Sequence, residues 1–246
     1  MSPEPSPVKH TSRLLRRHEV AERTWAFQFE RPSGFEFRAG QFMEVTLRSP
    51  TETDAEGDTR PFTIASPPHE PFLMIATRMR DTAFKRNLAA MPLGTELTIV
   101  GPFGDLVLHS DEARPAVFLA GGIGITPFRS IALDATHRKL RHELTLFYSN
   151  RRPEDAPYVQ ELEALGRTHP NFHLVATMTA MEKSHRPWKG ERGRIDPSMM
   201  ARHAPTSGTP VHYVAGPPGL VRELQTMLRA ERVAEENIRA EEFDGY

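Results

Sequence analysis

The sequence predicts two domains, an antiparallel β-barrel over residues 1–110 followed by an α/β domain with a parallel sheet over 111–246. Three observations predict this. Short runs with alternating apolar residues, separated by turn residues, fill the first hundred positions, as the strands of a small barrel do. After the charged break HSDEAR at 109–114, strand-like runs alternate with helix-like ones, the pattern of a parallel sheet covered on both faces. At that change stands PAVFLAGGIGITPFRS, 115–130, which reads as a buried strand, a glycine turn and a helix start.

The opening residues MSPEPSPVKH are rich in proline and serine and lack an apolar core, so 1–9 is expected to be a flexible tail rather than a signal peptide. Trp25, Phe27 and Phe29 alternate, which predicts a strand with one buried face. Phe35 and Phe37 repeat the alternation, and a strand resumes over 42–47. The polar stretch SPTETDAEGDT, 49–59, is an exposed loop. Strands follow at 60–66, 71–79 and 95–100, with a short helix over 82–90. Beyond the break, strands are expected at 116–120, 144–148, 172–178 and 211–215, and a helix around 158–167. Leu220, Val221, Leu224, Met227 and Leu228 share one face of a last helix. A final strand precedes EEFDGY.

Composition narrows the function. The formal net charge of -1 gives no electrostatic case for nucleic acid. The absence of cysteine excludes disulfides, thiolate metal sites, a catalytic thiol and a thiolate-held iron–sulfur cluster within this chain. His169 and His173 flank Pro170 and Asn171, which argue against the helix a two-histidine metal site needs, so no metal is expected. No serine sits in a nucleophile elbow. No apolar run approaches the ~20 residues of a membrane helix, and a soluble cytoplasmic protein is expected.

The glycine turn is the first candidate site. Gly121, Gly122 and Gly124 permit a tight turn and close approach to the main chain. Thr126 is the expected N-cap and Pro127 the first helical residue. The helix N-terminus then favours a phosphate, although a plain βα connection has the same form. Gly216 and Pro217 repeat this logic after the 211–215 strand. Arg60 and Thr63 in RPFT can hold a phosphate and a flat ring, or stand as an ordinary strand end. Arg78, Arg80, Lys85 and Arg86 can bind a pyrophosphate, attract an acidic partner or form a solvated cationic face.

Taken in order, RPFTIAS, GPFGDL, AGGIGITPFRS, FYSNR, AGPPG and EEFDGY resemble the ferredoxin–NADP(+) reductase superfamily of flavin oxidoreductases, over nearly the whole chain. The resemblance implies a flavin-binding barrel and a nicotinamide-dinucleotide-binding α/β lobe, without an iron–sulfur domain. It implies that Arg60 contacts the flavin phosphates, that Pro61 is cofactor-binding, and that Phe62 and Thr63 flank the isoalloxazine with the Thr63 hydroxyl toward N5. Thr82, Ala83, Phe84 and Lys85 would lie at the pyrophosphate. Gly121, Gly122, Gly124 and Thr126 would cradle the pyridine nucleotide, and Gly216 and Pro217 would make room for nicotinamide. Tyr246 would cover the flavin and move aside for nicotinamide. Thr63, Tyr246 and Glu242 are the implied catalytic residues. The family's flavin motif usually has tyrosine and serine where this chain has Phe62 and Thr63, and often cysteine where it has Ala215.

The implied activity is hydride transfer from NAD(P)H to FAD, then electron delivery to a separate carrier: ferredoxin, flavodoxin or an oxygenase component. The alternatives are an electron-transfer subunit of a larger complex, or a flavin-binding module without turnover of its own. Ser149, Arg151 and Arg152 end the second strand of the α/β lobe, where arginine accommodates a 2′-phosphate and tips the choice toward NADPH; Glu154 and Asp155 pull toward NADH. The 183–195 loop, with Trp188, either folds over the adenosine or anchors to the surface.

Overall fold

A computed structural model describes residues 8–205 and 208–243. Strands β1 (Lys9–Ala21), β2 (Thr24–Glu30), β3 (Phe42–Leu47), β4 (Thr59–Thr63), β5 (Phe72–Arg78) and β6 (Glu96–Phe103) build the first half. They form an antiparallel sheet in the order β4-β3-β6-β1-β2-β5. Just past β4, the Ala65 amide donates to the Met74 carbonyl at 2.7 Å. The two end strands therefore meet, and the curled sheet encloses Leu14, Phe27, Phe29, Met43, Val45 and Phe62. Helix α1 (Ala83–Ala90) plugs this core with Phe84 and Leu88.

The second half runs β7 (Ala116–Gly121), α2 (Ile125–His137), β8 (Leu144–Asn150), α3 (Val159–Thr168), β9 (Phe172–Met178), β10 (Glu191–Arg192), α4 (Pro197–Arg202), β11 (Val211–Gly216), α5 (Pro218–Ala230) and β12 (Ile238–Glu242). Its parallel sheet has the order β10-β9-β8-β7-β11-β12. Every residue of β7, β8 and β11 is buried, because helices cover both faces. Phe128 and Ile131 of α2 and Leu162 of α3 pack on one face. Val221, Leu224 and Leu228 of α5 pack on the other, with Leu220 and Met227 at the margin. The chain leaves β7 toward β8 on one side, while β11 adds on the other. That reversal opens a crevice at the carboxyl ends of β7 and β11.

Some expectations need correction. Lys9, assigned to the tail, begins β1. β1 itself was not expected: only Ser12 and Leu14 are buried along it, so it carries no apolar alternation. Phe35 and Phe37 are core residues outside any strand. β10 and α4 were also unforeseen. Among the described residues no helix is long and apolar enough to cross a membrane. No cluster of three or more potential metal ligands occurs among them.

The halves are tied together beyond their covalent connection. His109 Nδ1 lies 2.8 Å from the Tyr213 hydroxyl. Arg239 donates to the Val107 carbonyl at 2.9 Å and lies over the Tyr213 ring. The connection after β6 is thereby held against β11 and β12. On α2, Arg129 donates to the Ala65 carbonyl at 2.7 Å, and the Ser130 hydroxyl donates to the Ser66 carbonyl at 2.8 Å.

Candidate functional site

The β7–α2 turn contains a short 3₁₀ segment, Gly122–Gly124, before the helix. Gly122 has φ +54 and open space where a Cβ would lie, so its backbone faces the crevice. Gly124 has an ordinary φ of -61. Its constraint is contact: a Cβ there would lie 2.2 Å from the Ala215 carbonyl oxygen. The Tyr148 hydroxyl lies 3.1 Å from the Gly122 carbonyl and 3.2 Å from the Pro157 carbonyl and shares its one proton between them, which ties the turn to the 157 segment. The expected Thr126 cap is corrected here. Gly124 is the N-cap, without a side-chain bond, and Thr126 lies inside the helix with its hydroxyl on the Ile123 carbonyl at 3.1 Å. The 3₁₀ turn draws the helix start two residues earlier than the threonine and proline suggested.

A cavity of about 380 Å³ opens over this turn, lined among others by Gly121, Gly122, Ser149, Asn150, Arg151 and Pro217. Arg78 and Arg80 of the barrel half close one side, and Arg194 and Glu223 another. Glu223 grips Arg194 through both carboxylate oxygens at 2.7 and 2.8 Å. No hydrogen bond or ion pair involves the Arg151 guanidinium among the described residues.

Arg152, expected beside Arg151, does not line the cavity. It is held by Asp155 at 2.8 and 2.9 Å and by Glu22 at 2.9 Å. Glu154 is likewise turned away, accepting from the Ser184 hydroxyl and the His185 amide. Of the two acidic residues expected near the ribose, only Asp155 reaches the cavity wall, already paired. Trp188 is an anchor: its indole N–H donates to the Glu191 carbonyl at 2.8 Å and its ring packs on the core. The 183–195 loop reaches the cavity through Arg194 and Ile195.

On the barrel side, strand alternation separates the RPFT residues. Phe62 is 3 % exposed, in the barrel core, 5.8 Å from Phe84. That position corrects the expectation that it flanks a ring. Thr63 shares the other face with exposed Pro61 and pairs across the sheet with Phe42. Arg60 lies over the Phe84 ring and is bonded by its own loop, to Asp54 at 2.9 Å and Glu56 at 3.0 Å. Thr82 caps α1, accepting from the Lys85 amide at 3.4 Å, and Ala83, Phe84 and Lys85 are buried in the first turn. Arg86 turns outward to Glu52 and Asp81.

Lys85 donates to the Arg78 carbonyl at 2.9 Å. Burial first, and then Arg80 and Arg60, push its ammonium down to about 8. Cations that converge on a helix N-terminus at this cost fit an anionic group such as a diphosphate. The residues present therefore fit a dinucleotide flavin on the barrel and a second nucleotide over Gly122.

At β12 the register decides which carboxylate faces the junction. Glu241 lies opposite Ala215 and Glu242 opposite Gly216. Ala215 belongs to the face that meets the barrel connection, with Phe243. Glu242 points the other way, 3.5 Å from Arg222 of α5. Glu242 is thus corrected to an outward residue, and Glu241, one position earlier, is the carboxylate at the junction. A parity count from Phe243 in the core would have found it. Tyr246 lies outside the described residues.

Burial, then Asp105, pushes the Glu241 carboxyl up to about 7 from 4.5. Its folded value exceeds the unfolded one, so the native state holds the proton more tightly. Stability from this group is complete below pH 4.5 and declines as pH rises to about 7. The loss is about 1–3 kcal/mol after screening at this part-buried site. Glu241→Gln is expected to raise the unfolding temperature at pH 8 and leave it nearly unchanged at pH 4. Equal gains at both pH values in a thermal melt would contradict the buried-carboxylate account.

Residues 118–226 match the family described as oxidoreductase NAD-binding domain. Ferredoxin–NADP reductase B of Sorangium cellulosum is 30 % identical over 227 residues, covering 88 % of this chain and 90 % of that protein. Reductase component 1 of terephthalate 1,2-dioxygenase from Comamonas sp is 26 % identical over 209 residues, 84 % of this chain and 59 % of that protein. This chain spans only 54–59 % of the length of several oxygenase reductase components that it matches. Among solved structures, a ferredoxin NADP+ reductase from Neisseria gonorrhoeae with bound FAD and NADP superposes with a TM-score of 0.78 at 20 % identity, over 95 % of this chain and 98 % of that one.

Proposed function

Because the chain belongs to the ferredoxin–NADP(+) reductase family, we propose that it is a flavin-dependent reductase that oxidises NAD(P)H and delivers electrons to a separate carrier. The observation that carries this reading is the shared cavity. Its floor is the Gly121–Gly122 turn and Pro217 of the α/β half, and its side is Arg78 and Arg80 of the barrel half. A nucleotide seated there on the turn's amides abuts the barrel, where Thr63 and the α1 N-terminus lie.

Bound FAD would supply the ring that accepts hydride and releases electrons singly. The chain's own residues bind and orient. Gly122 exposes amides without a side chain in the way. Arg60, Lys85 and the first turn of α1 offer positive charge for the flavin diphosphate. Glu241, with its proton held to about pH 7, stands at the junction as a proton-holding group. The cysteine-free chain cannot itself ligate an iron–sulfur cluster by thiolates, and the acceptor proposed is a separate carrier: a ferredoxin, a flavodoxin or an oxygenase component. Relatives named as oxygenase reductase components support the last of these. A cytoplasmic location is part of the same proposal.

NADPH is the proposed donor, because Arg151, on the cavity wall just past β8, has no ion-pair partner among the described residues and stands where an arginine accommodates a 2′-phosphate. Arg151→Ala is expected to weaken NADPH binding by about tenfold, the worth of one charge-assisted contact, and NADH binding much less. Nucleotide titrations followed by calorimetry check this, and an equal loss for both coenzymes would reassign Arg151 to the common phosphates. The reading as a whole is tested by anaerobic titration of flavin-loaded protein with NADPH and with NADH. Bleaching of the visible flavin absorbance by one of them supports it. Flavin that is bound but not bleached by either would leave a binding module.

A further inference from the structure

The flavin phosphate cradle of the barrel already holds an anion, and it is the protein's own. The 49–59 loop between β3 and β4 lies along α1. Asn87 accepts from the Thr51 amide and hydroxyl at 2.8 Å each and donates to the Glu52 carbonyl at 2.9 Å. Arg86 grips Glu52 through both carboxylate oxygens at 2.6 Å. This strap brings Asp54 to the start of the helix. Its Oδ1 lies 2.9 Å from Arg60 Nη2 and accepts the Glu56 amide at 3.0 Å. Although desolvation opposes the charge, Arg60 and the amides of Glu56 and Ala83 hold the Asp54 carboxyl below the ordinary aspartate range. Ala83 is the first residue of α1.

We propose that Asp54 is an internal stand-in for the flavin diphosphate, so that the 49–59 strap competes with FAD for Arg60 and the α1 N-terminus and sets flavin affinity. The inference rests on the flavin reading above. An arginine and an unsatisfied helix amide are what a phosphate oxygen requires, and a carboxylate meets the same need. Both anions cannot hold them together at close range without mutual repulsion. Glu56 also reaches Arg60, at 3.0 Å, but its side chain is 74 % exposed against 30 % for Asp54. A solvated carboxylate contributes little, so Asp54 is the effective competitor.

The test is flavin binding to the apoprotein, with FAD and with riboflavin, which has no phosphate. Asp54→Asn is expected to tighten FAD by about tenfold, as removal of one charge-assisted contact predicts, and to leave riboflavin unchanged. Glu56→Gln is expected to change either by less than about twofold. Equal FAD affinity in Asp54→Asn and wild type, or equal tightening of FAD and riboflavin, overturns the proposal. A wild-type measurement does not depend on how the variant folds. Amide hydrogen exchange at Glu56, whose N–H bonds the Asp54 carboxylate, should quicken when FAD binds. Unchanged or slower exchange there overturns the proposal too. Apoprotein that takes up no flavin at all would overturn the flavin reading itself, a result distinct from flavin bound with equal affinity.

Discussion

Replacing Gly124 with alanine is expected to lower the unfolding temperature by roughly 6–12 °C, the largest loss for any single methyl added at the site. The reason is contact with backbone. The new Cβ would lie 2.2 Å from the Ala215 oxygen, 2.5 Å from its carbonyl carbon and 2.6 Å from Gly216 Cα. No side chain can rotate to relieve this. Either the start of α2 or the end of β11 must move, and both line the crevice. Overpacking against backbone lies at the upper end of the usual range, about 3 kcal/mol. Gly122→Ala is the matched comparison. Its Cβ meets nothing within 4 Å, but φ is +54, so only left-handed strain of about 1–2 kcal/mol applies. Calorimetric melts of the two variants should therefore differ by several degrees, with Gly124→Ala the lower. Equal melting temperatures would mean that the turn yields, and that its second glycine is not a packing requirement.

That pair of glycines shows how far the sequence could be read. A glycine cluster between a buried strand and a helix announced a crevice, since strand hydrophobicity and turn chemistry are local. It did not reveal which glycine faces the ligand and which faces β11, because that depends on a strand almost a hundred residues away. Glu242 and Glu241 are a similar case. Both stand at the end of a strand; parity with Phe243 separates them, but that Phe243 lies in the core, and that Glu241 then faces the junction beside Ala215, is fixed by long-range packing. β1 was illegible for another reason. It is the longest strand, yet its buried side chains are Ser12 and Leu14 alone; backbone pairing with β2 and β6 holds it in place, and side-chain patterning carries no trace of that. The ordered set of motifs still identified the architecture, and three of them, AGGIGITPFRS, FYSNR and AGPPG, sit at the carboxyl ends of β7, β8 and β11 and line the cavity.

Arg129→Ala is expected to destabilise the chain by about 2–3 kcal/mol and to loosen one half from the other. In the sequence Arg129 is only the tail of the glycine-turn motif, with nothing local to mark a partner. In the structure its side chain is 7 % exposed. It chelates Glu161 of α3 with two bonds of 2.7 Å, lies 4.8 Å from the Tyr158 ring and reaches across to the Ala65 carbonyl. Burial works against its charge, but the Glu161 carboxylate more than restores it, so its affinity for the proton rises. Truncation leaves the buried Ala65 carbonyl without its donor and Glu161 without its counter-charge. Because Glu161 is 38 % exposed, water recovers part of that loss, which keeps the cost below that of a fully buried pair. Two readouts separate an interdomain bolt from a simple core contact. The first is a double-mutant cycle with Glu161→Ala, where the losses should fall short of additivity by about 1 kcal/mol. The second is limited proteolysis, which should cut Arg129→Ala faster in the 104–115 connection than in either half. Additive losses with unchanged cleavage would reduce Arg129 to a local partner of α3, and leave the crevice held in register by the other links between the halves, among them Ser130–Ser66, His109–Tyr213, Arg239–Val107 and Arg152–Glu22.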